Sequence, residues 1–584
     1  NIIQGLEGNQ GPYRLNGING ETFIIIISGT EVVYLDGRRL GRGESRDYVI
    51  NYNSGEVTFM PAQMITKFTR IVVEFQYSDR NYQRSVIKMG AGVQRGNSSY
   101  EINYFSEQDN KNQNFQQSLD GYDSVRMMSA EEILASAGDD VTNAYIPRVN
   151  TVNVFDYDKL LYRKIDTLGY NGVYVFTQNP QADTIFYEVV YSLVGAGKGN
   201  YRQKNSNTNG RVYEWIVPIG GLPQGEYAPI EILIAPKRYQ MLTVGMKRRY
   251  GNTETFFEGV YTNNNINTLS KLDKSNDDGF GLVTGFKNIS EIKKTKLFVT
   301  NQFKAELVNQ DFKYLERYRS VEFERSWNKK LGLPSVSDTV RLPEILANYE
   351  LAFEQKGRFK VQYKAGVYNR LSDISGLDNS ILAFVKLKKY NTEVQAGAEV
   401  MNNKLPITGG LQNNAFWNYD GEVSQPTKIG KFGVGYHDES SVFTTKSDST
   451  DLGSYSFNSG RVLFESKDSS RLSYGLIAEK RNDKLPYLGS LSLSTEATEI
   501  KGHGGYTAKN GIRINLNGSY RSLLYLDTLV IKGKTEKNAL GRLEADIPIF
   551  KRALRFNSFY QIGTGQEQKR DYTCLLYTSP SPRD

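Results

Sequence analysis

Cysteine is almost absent. The single one, Cys574, lies in a Ser-Pro tail, residues 574–584, so the rest of the chain can build neither a disulfide framework nor a thiolate metal site. Histidine is nearly as rare. His437 and His503 each lack a His or Cys neighbour at ligand spacing, and they read as ordinary strand or loop residues. There is no Walker loop, no Gly-x-Ser-x-Gly and no zinc-protease helix. Gly195 to Asn200 (GAGKGN) lacks the P-loop spacing and its following Ser or Thr, and reads as a turn. Catalytic, cofactor and metal residues are therefore all assigned as none, and the chain is not expected to be an enzyme. Long apolar runs are missing too. The longest, such as Phe23 to Ile27, fall far short of the ~20 residues of a membrane-spanning helix. The 72 basic and 64 acidic residues are scattered without a basic cluster interleaved with aromatics, which argues against a nucleic-acid partner.

What the chain does have is tyrosine (39), glycine (54) and a two-residue periodicity. Its mean hydropathy of −0.50 is polar. That value is compatible with a membrane barrel, whose strands show only alternate residues to lipid. Residues 358–370 (RFKVQYKAGVYNR) set the pattern. Phe359, Val361 and Tyr363 fall on one face, and Lys360, Gln362 and Lys364 on the other. Ile512, Ile514 and Leu516 alternate in the same way with Arg513, Asn515 and, further on, Arg521. The first member of each set is assigned to lipid and the second to an aqueous lumen. Many such runs reach the 9–11 residues of a tilted membrane strand, beyond the ~5–6 typical of soluble strands. Roughly twenty are expected, within the known range for barrels.

Connections sort by length. Lys356-Gly357, Tyr390 to Thr392, Lys467 to Ser470 and Asn510-Gly511 are short. Asn263 to Asp278, Asn328 to Leu342, Asn402 to Asn414 and Glu439 to Gly453 are read as long polar loops. Alternation of short and long connections is the habit of outer-membrane barrels. Phe312, Tyr314, Trp327, Trp417 and Tyr525 are candidates for an interfacial aromatic girdle. Residues 81–113 and 238–270 share a hairpin layout with a Gly-Asn turn. Asp139-Asp140, and Asp273 with Asp277-Asp278, carry oxygen ligands suited to Ca²⁺ but in an incomplete pattern, and read as solvated loop.

The expected architecture is all-β. Residues 1–80 form a small sandwich-like module with tight turns at Asp36-Gly37 and Asn53 to Gly55. Residues 81–108 form a first barrel hairpin. Residues 109–236 form an inserted β-rich domain or folded loop with one helix over Ser129 to Ala137, signalled by a Ser-x-x-Glu capping box. Residues 237–573 form further barrel hairpins. The rival architecture is a large soluble multi-sandwich or solenoid.

The phrases GPYRLNGINGETFIIIISGTEVVYLDGRRLGRGESRDYVINYNSGEVTF, RIVVEFQYSDRNYQRS, NGRVYEWIVPIGGLPQGEYAPIEILIAPKR and LDKSNDDG resemble large outer-membrane proteins of Bacteroidota and related phyla, over most of residues 1–300. The LDG…DYVINYNSGEVTF phrase is also similar to β modules of the gliding-motility and type IX secretion translocon. The resemblance implies a Gram-negative outer-membrane barrel with accessory β domains and brings no catalytic residues. The 574–584 tail resembles a translated sequencing adapter and is set aside. The chain reads as an internal fragment. The implied partners are outer-membrane lipid and a solute or polypeptide cargo. The leading reading is a pore or translocation barrel. The alternatives are a barrel-anchored scaffold or adhesin, and a secreted carbohydrate-active β protein.

Overall fold

The computed structural model describes residues 1–564 apart from 18–23, 45, 62, 78–81, 115–121, 124–125, 139–143, 158, 205–210, 329–341, 372, 389, 408–409, 445–449, 452, 468–470, 527–532 and 550–553. The Asp139-Asp140 pair and the 574–584 tail lie outside the described residues. The described residues are dominated by one antiparallel sheet of eighteen strands, where roughly twenty were expected. These are β1 (Tyr82–Arg95), β2 (Ser98–Asn114), β3 (Arg238–Tyr250), β4 (Thr253–Asn265), β5 (Asp278–Ile292), β6 (Leu297–Val308), β7 (Glu344–Gln355), β8 (Phe359–Arg370), β9 (Ile374–Leu387), β10 (Thr392–Ile407), β11 (Gly410–Pro426), β12 (Gly430–Phe443), β13 (Tyr455–Ser466), β14 (Leu472–Tyr487), β15 (Ser490–Thr507), β16 (Arg513–Tyr525), β17 (Thr535–Ile549) and β18 (Leu554–Gly563).

Each strand pairs with its neighbour in the chain, from β1 through to β18. The sheet follows the cyclic strand order of a barrel. Among the described residues, however, no backbone register joins β18 to β1, and both strands are exposed along nearly their whole length. The two hairpins of similar layout, β1–β2 and β3–β4, turn at Gly96-Asn97 and Gly251-Asn252 and lie side by side through the β2–β3 ladder.

Connections at one end of the sheet, from 96–97 to 550–553, all have two to five residues. The other end carries 115–237, 266–277, 309–343, 444–454 and 526–534, together with three short turns. One of those three corrects the reading of Asn402 to Asn414. Strands β10 and β11 run through it and pair from Asn402↔Ala415 down to Ile407↔Gly410. Its Asn-rich sequence suggested a loop, but cross-strand pairing continues past the point where apolar alternation fades.

Residues 1–77 build a separate sandwich. One sheet holds Ile2–Gln4, Arg70–Glu74, Val32–Leu35 and Arg38–Arg39, and the other Tyr13–Arg14, Glu56–Phe59 and Tyr48–Asn51. Asp36 (φ 49) and Gly37 (φ 82) form the hairpin turn between its third and fourth strands, both left-handed as a type I′ turn requires. Leu15, Val33, Val57, Phe59, Ile65 and Ile71 fill a core made only of module residues.

The 115–237 insert carries two further four-stranded sheets. Among the described residues of the insert, helix α1 (Ala130–Ala137) starts at Ser129, whose hydroxyl accepts from the Glu132 amide while the Glu132 carboxylate accepts from the Ser129 amide. The apolar face of α1 (Ala130, Ile133, Leu134) packs on Ile146 and Leu233. The Asn267 amide of the 266–277 connection donates to the Leu134 and Gly138 carbonyls, which seats the insert on the long-connection end.

Candidate functional site

Cross-strand partners share a face of a sheet, so two ladders define its two sides. Lys304↔Asn348↔Gly366↔Asp378↔Met401↔Phe416↔Ser441 is one, and Phe303↔Tyr349↔Ala365↔Asn379↔Val400↔Trp417↔Ser440 is the other. The first side is covered by the chain itself. The second is bare and rich in exposed apolar side chains, among them Phe353, Tyr363, Ile381, Val434 and Leu516. On β7, β8 and β9 the bare parity contains no Asp, Glu, Lys or Arg, while the covered parity holds Glu344, Glu350, Lys360, Lys364, Asp378 and Lys386.

Lys360, Gln362 and Lys364 lie on the covered parity of β8, toward the short-turn end. Arg513, Asn515 and Arg521 lie on the corresponding parity of β16. Only Arg521 is buried there, while Arg513 and Asn515 are exposed. Phe359, Val361 and Tyr363 occupy the bare parity of β8, as do Ile514 and Leu516 on β16. Ile512 precedes β16 in the turn and belongs to neither face.

Two pieces of chain occupy the covered face. The first is the N-terminal module. The Arg521 guanidinium donates to Glu7 at 2.7 Å, with both side chains nearly inaccessible (5% and 7%). Asn538 abuts Gly8, where an added Cβ would sit 2.4 Å from its amide oxygen. Lys67 lies 4.5 Å above the Tyr525 ring, and Arg481 lies 5.0 Å from the Phe68 ring. Arg542 donates toward the Met60 sulfur at 3.9 Å and pairs with Glu44 at 3.7 Å. Burial lowers the Lys67 ammonium pKa, with Glu7 and Asp483 opposing that shift.

The second piece is residues 309–328, between β6 and β7, which fold inward through a single helical turn, α2 (Phe323–Ser326). Trp327 rests on Gly366 and Gly376. A Cβ on Gly376 would stand 3.0 Å from Trp327 Cε3, so the missing side chain is what makes room for the indole. Trp327 joins Leu346, Tyr368, Ile374, Met401 and Phe416 in one buried apolar cluster. Arg325 donates to Glu439 at 2.8 Å and to Tyr455 at 3.4 Å. The Ser441 hydroxyl lies 2.5 Å from Asn328 Oδ1. This segment also meets the module, through Arg317 with Glu74 and Arg70 with Glu322.

The girdle expectation changes accordingly. Trp327, Phe312 and Tyr314 belong to the inward segment or its approach, and Tyr525 faces the module. Of the five residues, Trp417 lies on the bare side. Alternation could not flag Trp327, because it sits in a connection. Asp278 accepts from Tyr261 and Asn263, and Asp273 opens a short 3₁₀ turn. Among the described residues no group of three or more His, Cys, Asp or Glu is arranged to hold a metal.

Residues 1–79 match the model of a domain of unknown function, DUF8818. No curated protein matches the sequence. A solved structure, the FrpB iron transporter from Neisseria meningitidis (F3-3 variant), aligns over 94% of this chain and 86% of its own, at 8% identity and a TM-score of 0.30. A superposition that loose decides neither topology nor activity.

Proposed function

We propose that this chain is an outer-membrane β-barrel protein with a transport or translocation role, whose interior is occluded at one end by the N-terminal module and the 309–328 segment. The observation that carries this reading is the bare face. A parity of exposed Phe, Tyr, Leu, Ile and Val repeats on strand after strand, free of charge on β7, β8 and β9 and interrupted elsewhere by single charges such as Asp438 and Lys480, opposite a more highly charged parity. In water such a surface is an aggregation liability, whereas in lipid it is the required solvent contact. Closing the sheet by joining β18 to β1 would satisfy the backbone groups of every strand inside a bilayer. Loop length orients the barrel, with short turns toward the periplasm and the module and insert toward the cell surface.

A barrel-anchored scaffold or adhesin is the second reading. It is favoured by the size of the folded insert and by the filled interior. Cell fractionation with gel migration before and after boiling tests both. A boiling-dependent shift of outer-membrane material is expected. Soluble protein with no shift would leave the apolar parity as an ordinary protein-packing face. Conductance in planar bilayers then separates pore from scaffold.

A further inference from the structure

We propose that the two pieces filling the interior are attached unequally by design: the N-terminal module is a releasable plug, and the 309–328 segment is a fixed constriction that stays on the wall when the module leaves. This rests on the barrel reading above, and the argument is the chemistry of the two interfaces.

The module brings its own core. Every residue of its buried apolar cluster lies between Ile3 and Tyr77, so leaving the wall exposes none of it. Toward the wall it offers mainly charged groups, Glu7 to Arg521, Glu44 to Arg542 and Lys67 over Tyr525, with Phe68 and Met60 each meeting a wall arginine. Water replaces contacts of that kind at small net cost, because charges regain hydration as they lose each other. An interface made of them, between two bodies that are each complete, is the kind that opens.

The 309–328 segment also carries ion pairs to the wall, Arg319 with Glu306 and Glu344 and Arg325 with Glu439, but it adds an apolar anchor that the module lacks. It has no core of its own. Its Phe323 and Trp327 complete a cluster whose other members are wall residues of β7 to β11. Lifting Trp327 would open a void over Gly366 and Gly376, expose Met401, and strand Arg325 away from Glu439. Apolar burial of this kind costs about 25 cal/mol per Å² to undo, and the cavity adds to it. The segment also follows directly from β6, which ends at Val308.

The test uses thiol labelling of the full-length protein, folded in detergent, in a Cys574→Ser background. Asn538→Cys reports the module contact and Ser441→Cys the segment contact. Labelling by a small maleimide is followed through sub-denaturing urea and from low to high salt, with migration of the unboiled protein showing that the sheet stays folded. The expected result is that position 538 becomes reactive while position 441 stays protected, the two rates parting by at least about tenfold, equivalent to about 1.4 kcal/mol. Equal rates, or position 441 opening first, would overturn the proposal. These readouts need no conductance. A failed pore measurement with the labelling difference intact would remove the transport role and leave the unequal attachment standing.

Discussion

Arg521 on β16 and Glu7 in the N-terminal module are 514 residues apart in the chain and 2.7 Å apart in space. The pair is buried on both sides, so deleting one partner leaves an uncompensated charge, a change that costs about 3–5 kcal/mol in buried pairs. Arg521→Ala should loosen the module, and Glu7→Gln with Arg521→Met should restore much of the loss. The neighbouring Lys67 amine supplies the readout. Its acylation rate, followed by mass spectrometry, should rise at least about tenfold in the single variant and fall back in the double. An unchanged rate in Arg521→Ala would show that the pair does not hold the module.

The seat of Trp327 makes a second prediction. Ala at position 376 presses on the indole at 3.0 Å, which a shift of a few tenths of an ångström relieves. Val or Leu at the same position cannot be accommodated while Trp327 stays in place. Gly376→Val should therefore expel Trp327 and red-shift the tryptophan emission toward that of an exposed indole. Gly376→Ala should leave the spectrum near that of the parent. Trp215 and Trp417 contribute a constant background that Trp327→Phe measures.

What could be read ahead of the structure was whatever two-residue periodicity encodes. Phe359 against Lys360, and Ile514 against Arg513, declared the two faces because side-chain direction in a strand is local. The module followed from its turns, and α1 from Ser129 and Glu132. What periodicity cannot encode is which piece of chain comes to rest on a face. Nothing near Glu7 announces Arg521, and nothing near Trp327 announces Gly366 and Gly376. These are long-range pairings whose only local trace is a small residue or a charge on the wet parity. The same limit explains Asn402 to Asn414, where ladder pairing outlasts the apolar pattern.

Adjacent residues on β8 give a controlled comparison of the two faces. Val361 lies on the bare parity and Gln362 on the covered one. An Arg facing lipid costs about 2–4 kcal/mol at the bilayer midplane and about 0–1 near the interfaces, and Val361, the third residue of β8, falls between those limits, whereas an Arg beside Lys360 and Lys364 stays in water. Val361→Arg should reduce the yield of heat-modifiable, folded protein in lipid vesicles, and Gln362→Arg should leave it close to the parent. Equal tolerance at both positions would count against a lipid contact for β8.

Orientation is checked by two turns at opposite ends. Leu168 and Gly169 form an exposed hairpin turn in the insert, and Lys356-Gly357 joins β7 to β8 at the short-turn end. Exposed tips accept short epitopes well. An epitope at 168–169 should bind antibody on intact cells, and one at 356–357 only after the outer membrane is permeabilised. The reverse result would invert the barrel and place the module on the periplasmic side.

The capping box at α1 ties stability of the insert to pH. Glu132 accepts from the Ser129 amide at 2.8 Å and from its hydroxyl at 2.9 Å. The amide bond first, then the hydroxyl, holds the carboxyl pKa below its ordinary value. A group with a lowered folded pKa contributes its full stabilisation above the unfolded value and loses it as pH falls through the folded one. Helix protection should therefore be flat at neutral pH and decline on acidification below the ordinary carboxyl value of 4.5, as pH falls through the lowered folded one. Hydrogen exchange of the Ile133 and Leu134 amides, corrected for intrinsic rates, measures it. Ser129→Ala removes the N-cap at a cost of about 1 kcal/mol and also takes away the hydroxyl bond to Glu132. In that variant protection should start lower and depend less on pH. A parent and variant with the same pH profile would mean that Glu132 is not working through the cap.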